Sequence, residues 1–532
     1  MGKQWRSEDA PITASVVAEA SKIIGLDFTL AERDSMIDEL VRARNNYTRM
    51  RTVPLPNQVA PALVFHPSPS RLNPASRQST FKISQQQKVV LPANREELAF
   101  YSVTQLAELI RTRQISSEEL TKFFLERLKK YNEKLLCVVT LTEERALAEA
   151  RQADAEIKAG RYKGLLHGIP YGAKDLLAAK GYPTTWGSPI YKNQVIDQDA
   201  AVVQRLRQAG AVLVAKLSVG EFAWGDVWFG GTTRNPWNPN QGSSGSSAGS
   251  ASAVAAGLLP FAIGTETLGS IVSPSTVCGT TGLRPTFGRV SRTGCMALAW
   301  SMDKIGPIAR TVEDCAVVFQ AIYGPDGTDP SVRNYPFTYD ATQSIKGLRI
   351  GYVKSDFERN YPFKQHDSLA LVKMREMGME LIPIELPNLP TRELSMIITC
   401  EGAAAFDELT RNNLDDQMVR QIKNAWPNVF RAGRFIPAVE YIQANRIRTL
   451  LMEQMEEIMK NVDVYIAPSW AGTNLTLTNL TGHPAVVVPN GFRNGTPVSI
   501  TFTGKLYDEG TLLRVAKAYQ DATNFHLQHP SL

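Results

Sequence analysis

Apolar positions recur at helical spacing through residues 12–51. There "ITASVVAEASKIIGL" and "TLAERDSMIDELVRARNNYTRM" predict two helices, and Thr29, three residues before Glu32, predicts a capping box at the start of the second. The periodicity then lapses. "RTVPLPNQVAPALVFHPSPSRLNPASRQSTFKISQQQ" is rich in Pro, Ser and Gln and reads as an extended connector. From about residue 100, helical segments such as "SVTQLAELIRTRQISSEELTKFFLERLKKYN" and "TEERALAEARQADAEIKAG" alternate with short apolar runs: "LLCVVTLT", "AVLVAKL", "LPFAIGT", "LRIGYV", "VDVYIAP", "PAVVVPNG" and "VSITFTG". Runs that are apolar on both faces are strands covered on both sides. Their alternation with helices predicts an α/β fold, an α/β/α sandwich around a mixed, largely parallel central sheet, with an N-terminal helical extension. The expected organisation is a helical appendage over 1–70, a connector over 71–99 and a main domain over 100–532, carrying a mostly helical insertion at about 355–460.

Composition changes this picture little. The 532 residues are 43% hydrophobic and 21% charged, with a net charge of +6 and no Lys/Arg block, so no nucleic-acid-binding face is expected. The five cysteines (Cys137, Cys278, Cys295, Cys315, Cys400) are scattered, no CxxC, HxxxH or HExxH occurs, and neither a metal nor a cofactor is expected. No apolar run reaches the ~18–20 residues of a membrane span. The opening "MGKQWRSEDAPIT" lacks an apolar signal-peptide core, and Arg6 breaks the myristoylation pattern, so a soluble, cytoplasmic chain is expected.

One stretch departs from ordinary globular texture. Residues 241–286, "QGSSGSSAGSASAVAAGLLPFAIGTETLGSIVSPSTVCGTTGLRPT", hold nine serines yet run into an apolar segment that must be buried. Together with "LLHGIPYGAKDLLAAKG" (165–181), "CGTTGLRPTFGRVSRTG" (278–294) and "DKIGPIARTVEDC" (303–315), this stretch resembles the amidase signature family, whose members hydrolyse amides through a Ser–cis-Ser–Lys triad. The resemblance runs from about residue 100 to the C-terminus and is strongest over 165–315. It implies that Lys174 is the base and acid, Ser246 the proton relay, preceded by a cis peptide bond at Gly245, and Ser270, 24 positions further on, the nucleophile. It further implies an oxyanion hole from the backbone N–H groups of Thr267, Leu268, Gly269 and Ser270. The residue types suit the task. A serine hydroxyl attacks only when a base takes its proton, and a lysine serves as that base if burial keeps it neutral. Ser243, Ser247 and Ser250 are then available to satisfy buried backbone groups.

Two departures from the family pattern bear on activity. "ETLGS" puts Glu266 where an aspartate is usual and Leu268 where a glycine is usual; a leucine at positive φ would cost ~1–2 kcal/mol, whereas at negative φ its side chain would wall the acyl pocket. Val272 and Ser273 stand where members acting on charged acids often carry an arginine. With Trp224, Trp228, Phe229 and Trp300 as expected pocket residues, a neutral, hydrophobic or aryl amide is the expected small-molecule substrate, with carbamates and esters sharing its chemistry. "GRVSRTG" and "DKIGPIARTVED" also resemble the glutaminase subunit of tRNA-dependent amidotransferases, which makes a glutaminase-type subunit the alternative. A non-catalytic amide-binding member is the second alternative, and a homodimer is expected at the level of the family.

Overall fold

The computed structural model describes residues 11–54, 63, 80–85 and 88–532. Residues 1–10, 55–62 and 64–70 of the expected appendage, and 71–79 and 86–87 of the expected connector, lie outside the described residues. The chain forms two compact units: the described part of 1–64 with 388–450, and the described part of 65–387 with 451–532.

In the first unit α1 (Ala14–Ile24) and α2 (Leu30–Met50) occupy the two periodic segments. The capping box forms in full, with the Thr29 hydroxyl accepting from Glu32 N–H and the Glu32 carboxylate accepting from Thr29 N–H at 2.7 Å. The narrow apolar stripe of these helices is covered by residues distant in sequence: Val17 and Met36 cluster with Ala432, and Phe28 meets Phe435 at a 6.2 Å ring separation. Charge pairing follows the same seam, with Arg49 on Glu393 at 2.6 Å, Lys423 on Asp38 at 2.7 Å, and Arg431 on Glu32 at 2.9 Å. The stretch read as one helical insertion therefore divides: helix Lys364–Glu376 belongs to the sheet-bearing unit, and 388–450 to the unit of the N-terminal helices.

The second unit is built on an eleven-stranded mixed sheet. Its strands are β1 (Val138–Leu141), β2 (Pro170–Lys174), β3 (Val212–Leu217), β4 (Phe261–Glu266), β5 (Thr281–Arg284), β6 (Lys304–Ala309), β7 (Ile350–Val353), β8 (Leu381–Ile384), β9 (Val464–Pro468), β10 (Ala485–Arg493) and β11 (Thr496–Gly504). They lie in the order β8-β7-β9-β11-β10-β5-β6-β4-β2-β3-β1. β4, β2 and β3 form one parallel block and β8, β7 and β9 another. The ladders between these blocks are antiparallel, as is β3 with β1. β10 and β11 close a hairpin through Asn494 (φ 51°) and Gly495 (φ 76°), the pair of left-handed residues that a tight turn between twisted strands demands.

Every residue of β2, β3 and β4 is buried, as the unbroken apolar runs predict for strands covered on both faces. Parallel register sets Tyr171 beside Phe261, and their rings stack at 5.3 Å. The C-terminal ends of β2 and β4 consequently open on the same edge of the sheet, the edge where α/β folds place ligands. Helix α3 (Ala248–Ala255) consists of Ala, Gly, Ser and Val alone, and all eight residues are buried. Its small side chains let it press on the sheet: a Cβ on Gly249 would stand 2.4 Å from the Cys137 carbonyl oxygen. A short helix α4 (Val272–Cys278) follows the TLGS turn. All five cysteines are unpaired, and no helix among the described residues is long and apolar enough to cross a membrane.

Candidate active site

Lys174 is the last residue of β2, and its side chain is fully buried at the ligand-binding edge of the sheet. Nζ lies 2.8 Å from Ser246 Oγ, 3.0 Å from Ser247 Oγ, 2.8 Å from Thr265 Oγ1 and 3.3 Å from the Thr265 carbonyl oxygen. Among the described residues no carboxylate is bonded to it. Removal from water therefore dominates, outweighing the more distant Cys295, Asp303 and Glu266, and brings the amine down from 10.5 to about 7. The next residue, Asp175, bonds elsewhere. It pairs with the buried Lys216 at 2.6 Å and accepts from the Thr185 N–H at 2.9 Å, which locks the turn after β2. His167 is held apart from this cluster, accepting from Lys163 N–H at 3.1 Å and meeting Glu156 at 3.0 Å.

The serine-rich stretch wraps this amine. The Gly245–Ser246 peptide bond is cis. Glycine is required at 245 on packing grounds as well, because a Cβ there would fall 1.8 Å from the Gly225 carbonyl oxygen. The same close approach sets the turn bearing Trp224 against the serine loop. Ser244, at φ 59°, takes a conformation that glycine adopts more readily, and its N–H donates to the Asp226 carboxylate at 2.9 Å. The other hydroxyls serve the backbone. Ser247 Oγ donates to the Thr265 carbonyl at 3.0 Å and accepts from Thr265 N–H at 3.1 Å, while Ser250 and Ser252 donate to the carbonyls of Ile263 and Arg234 at 3.1 and 2.8 Å. The serines thus stitch α3 to β4 and leave Ser246 directed at the lysine.

Ser270 sits between β4 and α4, 7% exposed, and its carbonyl accepts from Ser247 N–H at 3.1 Å, which ties the two serine segments together. The positive φ in this turn falls on Gly269 (88°) and not on Leu268, so the leucine adds no left-handed strain. Among the described residues, the N–H groups of Thr267, Leu268, Gly269 and Ser270 donate to no protein acceptor. Glu266 shapes the turn from below: one carboxylate oxygen accepts from the N–H groups of Ile271 and Val272 at 2.8 and 2.9 Å, the other from Arg284 and Asn479, both at 2.8 Å. Burial opposes its charge, but the Arg284 guanidinium prevails and brings the carboxyl down to about 2.

Of the expected pocket residues, Trp228 is buried, packed edge-on against Phe229 at 4.9 Å, and Phe229 carries Lys192 above its ring at 5.8 Å. Trp300 is half exposed on the segment 298–303. That segment meets the Thr267–Ser270 turn through Asp303, whose carboxylate accepts from Thr267 Oγ1 at 2.6 Å. Sequence reasoning does not single out Thr265, Asp303, Asn479 or Leu475; a Cβ on Gly269 would lie 3.1 Å from Leu475 Cδ2, so this leucine borders the turn. Val272 is buried and Ser273 half-buried at the positions considered for an arginine.

A buried lysine, two serine segments and a turn of N–H groups without a protein acceptor among the described residues thus lie together at the carboxyl edge of the α/β sheet. The amidase family profile matches residues 119–478, and the chain belongs to that family. Among curated proteins it is 37% identical over 483 residues to the A-type subunit of the glutamyl-tRNA(Gln) amidotransferase of Roseiflexus castenholzii, covering 81% of this chain and 97% of that one. The corresponding protein of Coxiella burnetii is 33% identical over 481 residues, covering 81% and 99%. Among solved structures, the peptide amidase of Stenotrophomonas maltophilia superposes with a TM-score of 0.71 at 31% identity, over 80% of this chain and 97% of that one. A bacterial aryl acylamidase, at 21% identity and a TM-score of 0.72, shares the fold. The two amidotransferase relatives agree better with the glutaminase-type alternative than with the hydrophobic or aryl amide expected from the sequence.

Proposed function

We propose that the chain is an amidohydrolase that cleaves a carboxamide C–N bond through an acyl-enzyme on Ser270. The observation that carries this reading is the contact of a fully buried Lys174 amine with Ser246 Oγ at 2.8 Å, with no carboxylate among the described residues bonded to it to hold a charge. With Lys174 neutral, its lone pair takes the Ser246 proton as Ser246 takes that of Ser270, and the Ser270 oxygen attacks the carbonyl carbon. The N–H groups of Thr267, Leu268, Gly269 and Ser270 receive the developing oxyanion; a single such donor is typically worth ~3–4 kcal/mol in the transition state. Collapse expels the amine, which takes back the proton along the same chain, and water then releases the acid from Ser270.

Two readings of the substrate follow, each with its own support. The amidotransferase relatives that match over nearly their whole length support the amide of glutamine, with ammonia passed to a partner protein. The absence of arginine at Val272 and Ser273 supports a neutral amide instead, because an α-carboxylate gains no guanidinium there. Ammonia release from glutamine, a neutral aliphatic primary amide and an arylamide, each run beside Ser270→Ala, separates them. Turnover of glutamine above the others upholds the amidotransferase reading, and turnover confined to the neutral amides upholds the other. A folded chain that cleaves none of them, whether alone or mixed with candidate partner proteins, contradicts both.

A further inference from the structure

One buried carboxylate organises the contact between the nucleophile turn and the segment that runs from Cys295 to β6. Asp303, 9% exposed, accepts from Thr267 Oγ1 at 2.6 Å through one oxygen and from the N–H groups of Leu298 and Ala299 at 2.8 and 3.0 Å through the other. The adjoining Lys304 donates to the Thr267 carbonyl at 3.4 Å and also to that of Met302, so Thr267 is gripped at both its hydroxyl and its carbonyl. Thr267 opens the turn whose N–H groups are proposed above to receive the oxyanion. The 298–303 segment that Asp303 clamps also carries the exposed Trp300 and, through the Trp300 carbonyl, meets Arg292 at 2.6 Å.

We propose that Asp303 is a positioning residue for amide cleavage: it fixes the Thr267 end of the oxyanion turn and supplies the negative charge that faces Lys174 from the 295–303 segment. The proposal rests on the hydrolase reading given above. Ser246 and Ser247 from the serine loop and Thr265 from β4 bond the lysine directly, and the acidic groups whose charge acts on it are Glu266 from β4 and Cys295 and Asp303 from this segment. Glu266 is already compensated by Arg284 at 2.8 Å, and burial keeps the Cys295 thiol protonated by pushing it up to about 12. Burial also raises the Asp303 carboxyl, against the bonds from Thr267, Leu298 and Ala299 and the charge of Arg292, which is itself paired with Asp329 at 3.2 Å. Asparagine at 303 removes the charge and offers one acceptor oxygen in place of two, whereas Thr267→Val removes only the hydroxyl bond and keeps the charge, so the two variants together separate the two roles.

The rate of covalent labelling of Ser270 by a fluorophosphonate, followed against pH by intact mass, reads both roles without knowledge of the substrate. Folding of each variant is checked by its thermal transition. Asp303→Asn is expected to lower the plateau rate on the order of 10-fold and to move the acid limb to lower pH, because an amine with less negative charge nearby loses its proton more readily. Thr267→Val should lower the plateau comparably and leave the limb in place. An unmoved limb in folded Asp303→Asn, a plateau equal to wild type in both variants, or a limb displaced as far in Thr267→Val would overturn the proposal. Absence of labelling in the folded wild-type chain would instead overturn the hydrolase reading, and the proposal with it.

Discussion

Replacing Lys174 by methionine is expected to abolish turnover while making the folded chain more stable near neutral pH. The loss of activity follows from the removal of the group proposed to accept the Ser246 proton; residues that act as a unit of this kind cost about four orders of magnitude or more in kcat when one is deleted. The gain in stability follows from linkage. The lysine sits at about 7 in the folded chain against 10.5 when exposed, so the unfolded chain binds the extra proton across that interval. Stability therefore rises with pH between those values, and at pH 7 and below the folded chain bears nearly the whole cost, roughly 5 kcal/mol at 1.36 kcal/mol per pH unit. Methionine fills a similar volume without a charge to desolvate, although it forfeits the bonds to Ser246, Ser247 and Thr265. Urea unfolding at pH 6 and pH 10 checks this: the advantage of the variant should be largest at pH 6 and fade toward pH 10. A variant advantage that does not change with pH would mean that Lys174 is not held neutral. In the wild type the same titration should give kcat/KM an acid limb near pH 7, with activity present above it and lost below.

The second large effect belongs to Glu266. Glu266→Gln leaves Arg284 buried without its anion and weakens the acceptor for Ile271 N–H and Val272 N–H. Breaking a buried pair from one side typically costs about 3–5 kcal/mol. The turn that carries Ser270 is then no longer held between β4 and α4, and activity should fall even at temperatures where the variant is folded. The carboxyl is at about 2 in the folded chain, depressed from 4.5, so its stabilisation is complete above pH 4.5 and is lost as pH falls toward 2. The stability gap between wild type and variant, measured by denaturant unfolding, should accordingly be wide at pH 7 and narrower at pH 3. An equal gap at both would assign the loss to packing and not to the ion pair.

The parts of this site that are legible in the sequence are local. Ser246 and Ser270 belong to one helix–strand unit, and a fixed number of residues across α3 and β4 is enough to bring their segments together. Lys174 is legible through the resemblance of "GIPYGAKD" to the amidase signature, and its apolar, glycine-bearing setting agrees with a buried amine. What the sequence does not supply is the partner of each group across long separations. Thr267 and Asp303 lie 36 residues apart, Glu266 and Asn479 213 apart, and no periodicity reports such contacts. Leu268 raises a question that spacing cannot answer, since only the backbone reveals that the left-handed residue is Gly269. The domain organisation is opaque for a related reason. An amphipathic helix announces that one face is covered, as α1 and α2 do, but not that residues 388–450 provide the cover.

The central claim, an activated serine at 270 served by a neutral buried lysine, is tested most directly by intact mass after exposure to a fluorophosphonate. The account predicts a single adduct on the wild-type chain, mapped by peptide mass to Ser270, absent from Ser270→Ala and strongly slowed in Lys174→Met. A well-folded wild-type chain that takes up no adduct, or one whose adduct persists in Ser270→Ala, would contradict it.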